Sequence, residues 1–257
     1  MVKKAICMFV LVFFLGLSAN AFAETEKTGL LSDLKVEVSG GLSVFSQYIW
    51  RGFIMDRDAV LQPEVYVSTP ATKFGKLKVG MWVNEDLQNS DNLNSDEFDY
   101  IIDYTYDFKH LSVSLGHTYY DFTGINKFSR EFYAGISFPS LFLSPSVYYY
   151  RDYGNHNSGG GLGNYTVING AYSLPFVLKG YGLSLDLSGH VGFNHNLFMD
   201  GDGGDVAWKI GLTMPLTKNL KFTPNVNYSI PFGDLARESR GNQKARFYGG
   251  GTLVCSF

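Results

Sequence analysis

The chain has 257 residues, a formal net charge of −3 and two cysteines, and 16% of its residues are aromatic. Two cysteines are too few for the disulfide framework of a small secreted domain, and the negative charge argues against a polybasic surface for nucleic acid. The 29 glycines and 18% charged residues, together with the many aromatics, are typical of strands that are apolar on one face only.

The N-terminal segment predicts a secretory signal peptide over residues 1–23. Lys3 and Lys4 are basic, residues 5–17 are apolar, and Ala21-Phe22-Ala23 has the small-residue pattern of a cleavage site. The apolar run of about 13 residues is shorter than a transmembrane helix requires. Residues 24–34 are expected to form a short periplasmic lead-in, and residues 35–257 the folded domain.

Alternation of apolar and polar side chains with a period of two is the dominant pattern in the rest of the chain. In residues 181–195, for example, Leu183, Leu185 and Leu187 share one face, and Ser184 and Asp186 share the other. Helical periodicity would scatter Asp99, Asp103 and Asp107 among apolar positions, whereas a strand places all three on one face.

The pattern predicts an all-β fold with twelve strands. They cover residues 35–50, 59–69, 75–86, 96–108, 110–122, 129–139, 142–152, 164–174, 181–195, 204–215, 219–231 and 246–257. Odd-numbered connections are long and polar, and even-numbered ones are mostly short, as in up-and-down antiparallel transmembrane barrels. We therefore predict a twelve-stranded β-barrel in the outer membrane of a Gram-negative bacterium, with lipid around it and both ends in the periplasm.

The last strand ends on Phe257, an aromatic residue that would be a liability on an exposed edge in water. In a membrane barrel it would lie at the interface and serve as the signal for the barrel-assembly machinery. Cys255, alone after removal of Cys7 with the signal, is expected to be a small apolar side chain. Other aromatics near strand ends, such as Tyr48, Trp50 and Trp82, are expected to form interface belts.

The first predicted strand and its loop carry the motif Ser46-Gln47-Tyr48-Ile49-Trp50-Arg51-Gly52. This motif resembles the SxYxxRG opening of the TorF-type porin family of bacterial outer-membrane proteins. Residues 61–68, 131–137 and 208–212 are similar in less specific ways. The resemblance implies a barrel and a porin role, and it supplies no catalytic or ligand-binding residues.

Charged side chains recur on the polar face of the predicted strands, with seven acids against five bases. They are expected either to line a water-filled pore with a mild cation preference or to pair across a narrow interior. Arg51 is expected to pair with Glu64 or another acid of the wall. The candidate pore-lining residues are Arg51, Glu64, Asp99, Asp103, Glu131, Asp186, Lys209 and Lys221.

The segment Asp200-Gly201-Asp202-Gly203-Gly204-Asp205 has acids at alternate positions on a glycine-rich backbone, as calcium loops do. An EF-hand would have glutamate at loop position 12, where Gly211 stands, so a polar surface loop is the alternative. No metal site and no cofactor are expected.

Three functions of a membrane barrel remain open from the sequence, and a soluble secreted β-sandwich is the alternative fold. The first is passive diffusion of small hydrophilic solutes through the barrel. The second is a non-conducting barrel that serves structure or surface recognition through its long loops. The third is a lipid-modifying enzyme that uses His117 or His190, although no serine-histidine-asparagine cluster is visible. We expect a protein that is not an enzyme and does not bind nucleic acid.

Overall fold

The computed structural model describes residues 36–88, 90–91, 93–154 and 162–257. The predicted signal peptide, the lead-in and Lys35 lie outside these residues. Within them the chain forms fourteen strands. These are β1 (Glu37–Phe45), β2 (Tyr48–Trp50), β3 (Phe53–Asp56), β4 (Val60–Ser68), β5 (Lys76–Asp86), β6 (Glu97–Asp107), β7 (Ser112–Phe122), β8 (Lys127–Ser137), β9 (Ser146–Asp152), β10 (Asn164–Leu178), β11 (Tyr181–His195), β12 (Asp202–Pro215), β13 (Leu220–Gly233) and β14 (Arg246–Ser256).

Twelve of these strands close into an antiparallel barrel in the order β1-β14-β13-β12-β11-β10-β9-β8-β7-β6-β5-β4. The closing seam pairs Ser39 with Ser256 and Phe45 with Gly250, and β1 pairs on its other side with β4. β2 and β3 form a separate two-stranded hairpin. The prediction of a twelve-stranded antiparallel barrel is therefore confirmed.

Three predicted boundaries are wrong for identifiable reasons. The first barrel strand ends at Phe45 instead of residue 50, because the chain leaves the wall there and turns into the hairpin. β9 begins at Ser146 instead of residue 142, because Leu143 and Ser144 adopt turn conformations with positive φ. β10 runs on to Leu178 through Pro175, which is tolerated because its ladder with β9 has already ended at Asn169.

The outward face of the barrel is apolar. Exposed side chains alternate along the strands, as with Tyr100, Ile102 and Tyr104 on β6, while Asp99 and Asp103 at the intervening parity are buried inside. Such a surface is suited to lipid and a closed barrel leaves no unpaired edge in it, which confirms the predicted outer-membrane location. Among the described residues, no helix is long and apolar enough to cross a membrane.

Tyrosines fill part of the interior by lying over glycines of the neighbouring strand. Added Cβ atoms at Gly80, Gly116 and Gly135 would come within 2.2 Å of ring atoms of Tyr66, Tyr133 and Tyr148, respectively. The absent side chains therefore make room for the rings, a device that also pins the strand register. On the outward face, Cys255 is a buried free thiol, as expected of a small apolar residue.

Candidate functional site

The hairpin β2–β3 folds into the mouth of the barrel at the end that carries the long connections, which we expect to be the extracellular end. Trp50 pairs with Phe53 across the two-residue turn Arg51–Gly52, where φ is 49° and 80°. Two consecutive positive φ angles are characteristic of a type I′ turn, which fits the twist of a tight hairpin and favours glycine at the second position. The prediction of a polar outer loop at residues 51–58 is wrong, because the apolar side chains of this hairpin pack inside.

The tip of the hairpin depends on the missing side chain of Gly52. A Cβ there would lie 2.7 Å from Asp205 Cβ and 2.8 Å from Leu235 Cδ2, in a backbone conformation that L residues rarely adopt. We expect Gly52→Ala to destabilise the inserted hairpin by about 1–3 kcal/mol. Hydrogen exchange of the β2–β3 amides should become faster.

Gly180 offers a matched control for that variant. It also has a positive φ, of 86°, but no atom lies within 4 Å of its added Cβ. Gly180→Ala should therefore leave hairpin exchange unchanged. Equal exchange in Gly52→Ala and the wild-type protein would contradict the close packing at the tip.

Arg51 anchors the hairpin to the far wall of the barrel. Its guanidinium donates to both oxygens of Glu131 on β8, at 2.6 and 2.8 Å, so the ion pair is bidentate. The same group lies 4.2 Å from the ring centroid of Tyr150 and 4.6 Å from that of Tyr165. Because β8, β9 and β10 are far from β1 and β4 around the barrel, the hairpin crosses the lumen.

Burial alone would lower the pKa of the Arg51 guanidinium. The Glu131 carboxylate more than offsets this, so the pKa of Arg51 lies above its ordinary value. Both side chains are nearly inaccessible to solvent, with exposed fractions of 8% and 1%. A buried bidentate arginine–carboxylate pair with aromatic rings around it is among the stronger polar contacts a protein can form.

Buried acids surround this contact on the β6–β7 side. Tyr48 of the hairpin donates to Glu97 at 3.1 Å, and Tyr120 donates to Glu131 at 2.9 Å. Asp99 lies on the same inward face as Glu97 and is also buried. Burial is the main reason that the pKa of Tyr48 lies well above its ordinary value. The mouth is thus rich in carboxylates and aromatic hydroxyls.

On the opposite side of the lumen from Glu97, two polar side chains contact the Asp205 carboxylate. Tyr165 donates to it at 2.7 Å, and His190 Nε2 lies 2.8 Å from its second oxygen. Asp205 also lies directly against Gly52, so this group supports the hairpin tip.

Two extracellular loops cover the hairpin from above. Leu197 and Leu235 are fully buried, and the ring of Phe198 packs 5.3 Å from that of Trp50. Gln243 accepts a hydrogen bond from the Ile54 amide at 2.9 Å. Residues from the β11–β12 and β13–β14 connections therefore hold the hairpin in place.

At the outer end of the hairpin, Asp56 is fully buried and accepts hydrogen bonds from Ser95 Oγ and the Asp58 amide. Burial raises the pKa of the Asp56 carboxyl above its usual range, although these hydrogen bonds oppose the shift. Nearby, Asn84 joins Gln62 to Ser95. This network ties the end of β3 to β4, β5 and the β5–β6 connection.

Below the hairpin the interior carries small hydroxyl side chains and partly accessible charges. Ser43 and Thr252 are 2.9 Å apart at the seam, and Thr213 donates to Asp186. Lys209 is half-buried near Asp186, and Lys221 is exposed towards the periplasmic end. The periplasmic half is therefore polar and less tightly filled than the mouth.

All eight candidate pore-lining residues can now be placed. Glu64 and Asp103 lie on the inward face with Asp99, Asp186, Lys209 and Lys221, although their role in conduction stays a prediction. Arg51 pairs with an acid of the wall, as expected, and that acid is Glu131 instead of Glu64. Trp50, Tyr48 and Trp82 lie inside, so their assignment to an interface belt is wrong.

The acids of the predicted calcium loop do not converge. Asp205 faces the interior, whereas Asp202 contacts the ring of His195 at 2.5 Å on the rim and Asp200 accepts from Arg240 through its backbone. Within the described ranges, the acids whose oxygens come together are Asp56, Asp58 and Asp91, which accept hydrogen bonds from nearby amides.

The three strand histidines occupy different environments. His190 contacts Asp205 inside the barrel, His195 contacts Asp202 at the rim, and His117 lies 2.5 Å from the Tyr153 hydroxyl on the outward face. Among the described residues, none of these three contacts includes a serine.

Sequence reasoning missed the hairpin that folds into the lumen. The signal that could have revealed it is the turn dipeptide Arg51-Gly52 between the apolar pairs Ile49-Trp50 and Phe53-Ile54.

Comparison with known proteins gives low similarities only. The chain is 11% identical to the NanC porin, with 86% of this chain and 98% of that one covered at a TM-score of 0.48. It is 11% identical to an outer membrane channel from Pseudomonas putida F1 (91% and 98% covered, TM-score 0.48). It is 13% identical to outer membrane phospholipase A from Escherichia coli (84% and 89% covered, TM-score 0.44).

No family model and no curated protein matches the sequence. The resemblance of the Tyr48–Gly52 motif to the TorF-type porins therefore stays a prediction.

Proposed function

We propose that this outer-membrane barrel is a porin-like channel for small hydrophilic solutes, with its extracellular mouth narrowed by the β2–β3 hairpin. The observation that carries the proposal is the polar, charged interior below a hairpin that is held by a few specific contacts. A barrel that served only to span the membrane would have no need of a lumen-crossing element at one end.

The charge of the mouth supports a preference for cations. Glu97, Asp99, Glu131 and Asp205 are buried around the hairpin, and Arg51 is paired with one of them. Ionised carboxylates at a constriction attract cations and repel anions. Small polar solutes and inorganic cations are therefore the expected cargo.

Recording from single molecules in a planar bilayer tests the proposal. The full mature chain, purified in detergent, should give small, reproducible current steps in KCl, with a reversal potential that indicates cation preference. Heat-modifiable mobility on a gel should first establish that the barrel is folded. A folded barrel that gives no current steps in any condition would contradict the proposal that the protein is a channel.

A non-conducting barrel is the second candidate, and the dense packing of the mouth favours it. Leu197 and Leu235 are fully buried above the hairpin, and Arg51 at its tip is paired with Glu131. If this candidate is right, both the wild-type protein and variants that release the hairpin should give no current steps.

We also propose that the protein is not an enzyme. Each strand histidine contacts tyrosine or aspartate, and a nucleophile requires an adjacent base oriented by a third group. Turnover of phospholipid or lipid A that disappears in His117→Ala or His190→Ala would overturn this part of the proposal.

The C-terminal residue is proposed to be the recognition signal for barrel assembly. Phe257 is partly exposed, and its amide and carbonyl pair with Val38 at the closing seam. Deletion of Phe257 should lower the amount of folded barrel in the membrane without changing the conductance of the molecules that do fold.

A further inference from the structure

The outward face of β5–β9 carries a groove of about 540 Å³ whose walls are apolar. Its floor is the small side chain of Ala134, and Leu115 and Tyr149 stand directly across from Ala134 on the two adjacent strands. Leu77 and Tyr104 continue the same row towards β5. The next row towards the extracellular side begins with Ile102 and His117.

The groove runs obliquely across the wall, because it follows a row of paired residues and the strands of such barrels are tilted by about 35–45°. Leu77 is the second residue of β5, and Tyr149 is the fourth of the seven residues of β9. Four strand spacings separate them, which corresponds to about 19 Å. The length of this apolar groove matches one extended acyl chain of a lipid.

The extracellular end of the groove is built from ordered aromatic rings. Tyr153 follows β9 and folds back over the outward face, where its amide donates to the Arg130 carbonyl at 2.9 Å. Its ring stacks on Phe132 at 4.8 Å, and its hydroxyl lies 2.5 Å from His117 Nε2. These contacts fix the shape of the groove where it meets the headgroup region.

Two exposed arginines stand at this end. Arg151 is opposite Phe132, and Arg130 is two residues before Phe132 on the same face, so the two are diagonal neighbours. Arg151 donates to Asn164 Oδ1 at 2.8 Å, and Arg130 lies over the ring of Phe128. In the ion pairs of the described residues, neither arginine has a carboxylate partner. Asp121 shares this outward face, one row nearer the solvent.

We propose that this groove binds one molecule of lipid A, the phosphorylated lipid of the outer leaflet. An acyl chain would lie over Ala134, and a phosphate would lie between Arg130 and Arg151. Arginine binds phosphate through paired N–H groups, and partial desolvation in the headgroup region strengthens such contacts. The site is separate from the lumen and is independent of whether the barrel conducts.

Native mass spectrometry of the full chain, titrated in detergent with diphosphoryl lipid A, tests the proposal. The wild-type protein should retain one lipid A per barrel. We expect Ala134→Trp, which fills the floor, and the double variant Arg130→Ala/Arg151→Ala each to weaken binding at least tenfold. Heat-modifiable mobility establishes that each variant is folded.

Two variants serve as matched controls. Ile210→Trp adds the same ring on the outward face of β12, and Lys218→Ala removes a cation at a periplasmic turn. Both should bind lipid A as the wild-type protein does. Unchanged binding by the groove variants would overturn the proposal, and so would tighter binding of phosphatidylglycerol than of lipid A.

Discussion

Replacement of Arg51 by alanine is expected to release the hairpin and raise the single-channel conductance severalfold. The substitution leaves the Glu131 carboxylate buried without its partner, which costs about 3–5 kcal/mol. Since 1.4 kcal/mol is a factor of ten in an equilibrium, the ratio of inserted to released hairpin should fall by roughly two to three and a half orders of magnitude. Planar-bilayer recording, with hydrogen exchange at β2–β3, measures both effects.

Three further variants make that result specific. Arg51→Lys keeps the charge but loses the bidentate geometry, so it should give an intermediate conductance. The double variant Arg51→Ala/Glu131→Ala also removes the unpaired carboxylate, so the hairpin amides should regain part of their protection from hydrogen exchange. Arg237→Ala breaks an exposed ion pair with Asp234, which is worth at most about 1 kcal/mol, and should behave as the wild-type protein does. If Arg51→Ala kept the wild-type conductance and the wild-type protection of the hairpin amides from hydrogen exchange, the Arg51–Glu131 pair would not be what holds the hairpin in the lumen.

Neutralisation of the acids on the inward face of β6 is expected to abolish the cation preference. The triple variant Glu97→Gln/Asp99→Asn/Asp103→Asn removes three buried carboxylates from one wall of the mouth and the region just below it. The reversal potential in a KCl gradient should move towards the equilibrium potential of chloride. The difference from the wild-type protein should be largest at low salt, because the Debye length is about 10 Å at 0.1 M and about 3 Å at 1 M.

Asp121→Asn is the control for selectivity, since Asp121 lies on the outward face of the neighbouring strand. It removes one carboxylate near the mouth without changing the lumen, and its reversal potential should stay at the wild-type value. If the triple variant retained full cation preference, the β6 acids would have no part in ion selectivity.

Alternation predicted most of the barrel because the lipid and the lumen impose opposite demands on successive residues. β11 was predicted at its observed bounds, Tyr181–His195, where leucine, valine and phenylalanine recur at alternate positions. Glycine, proline and turn conformations blur this pattern at strand ends, which explains the errors at Leu143 and Pro175. A turn can continue an alternating sequence, so nothing in the pattern marked the end of β1 at Phe45.

The candidate site was only partly predictable. Alternation predicts that the side chains of Asp99 and Glu131 point into the barrel. The pairing of Arg51 with an acid follows from the cost of burying its charge. The identity of that acid depends on how far the hairpin reaches, which is a long-range property. Tyr150 illustrates the same limit, because only the observed register places its ring inside the barrel, beside Arg51.

The position of the hairpin constrains the order in which the polypeptide can assemble. The hairpin follows β1 directly, and β1 is one of the two edges that meet when the cylinder shuts against β14. Its anchor, Glu131, lies near the middle of the chain, so the contact can form before the last strand arrives. Insertion at that stage avoids passage through a mouth that Leu197 and Leu235 obstruct in the finished protein. The hairpin would then act as an internal template that sets the curvature of the open sheet.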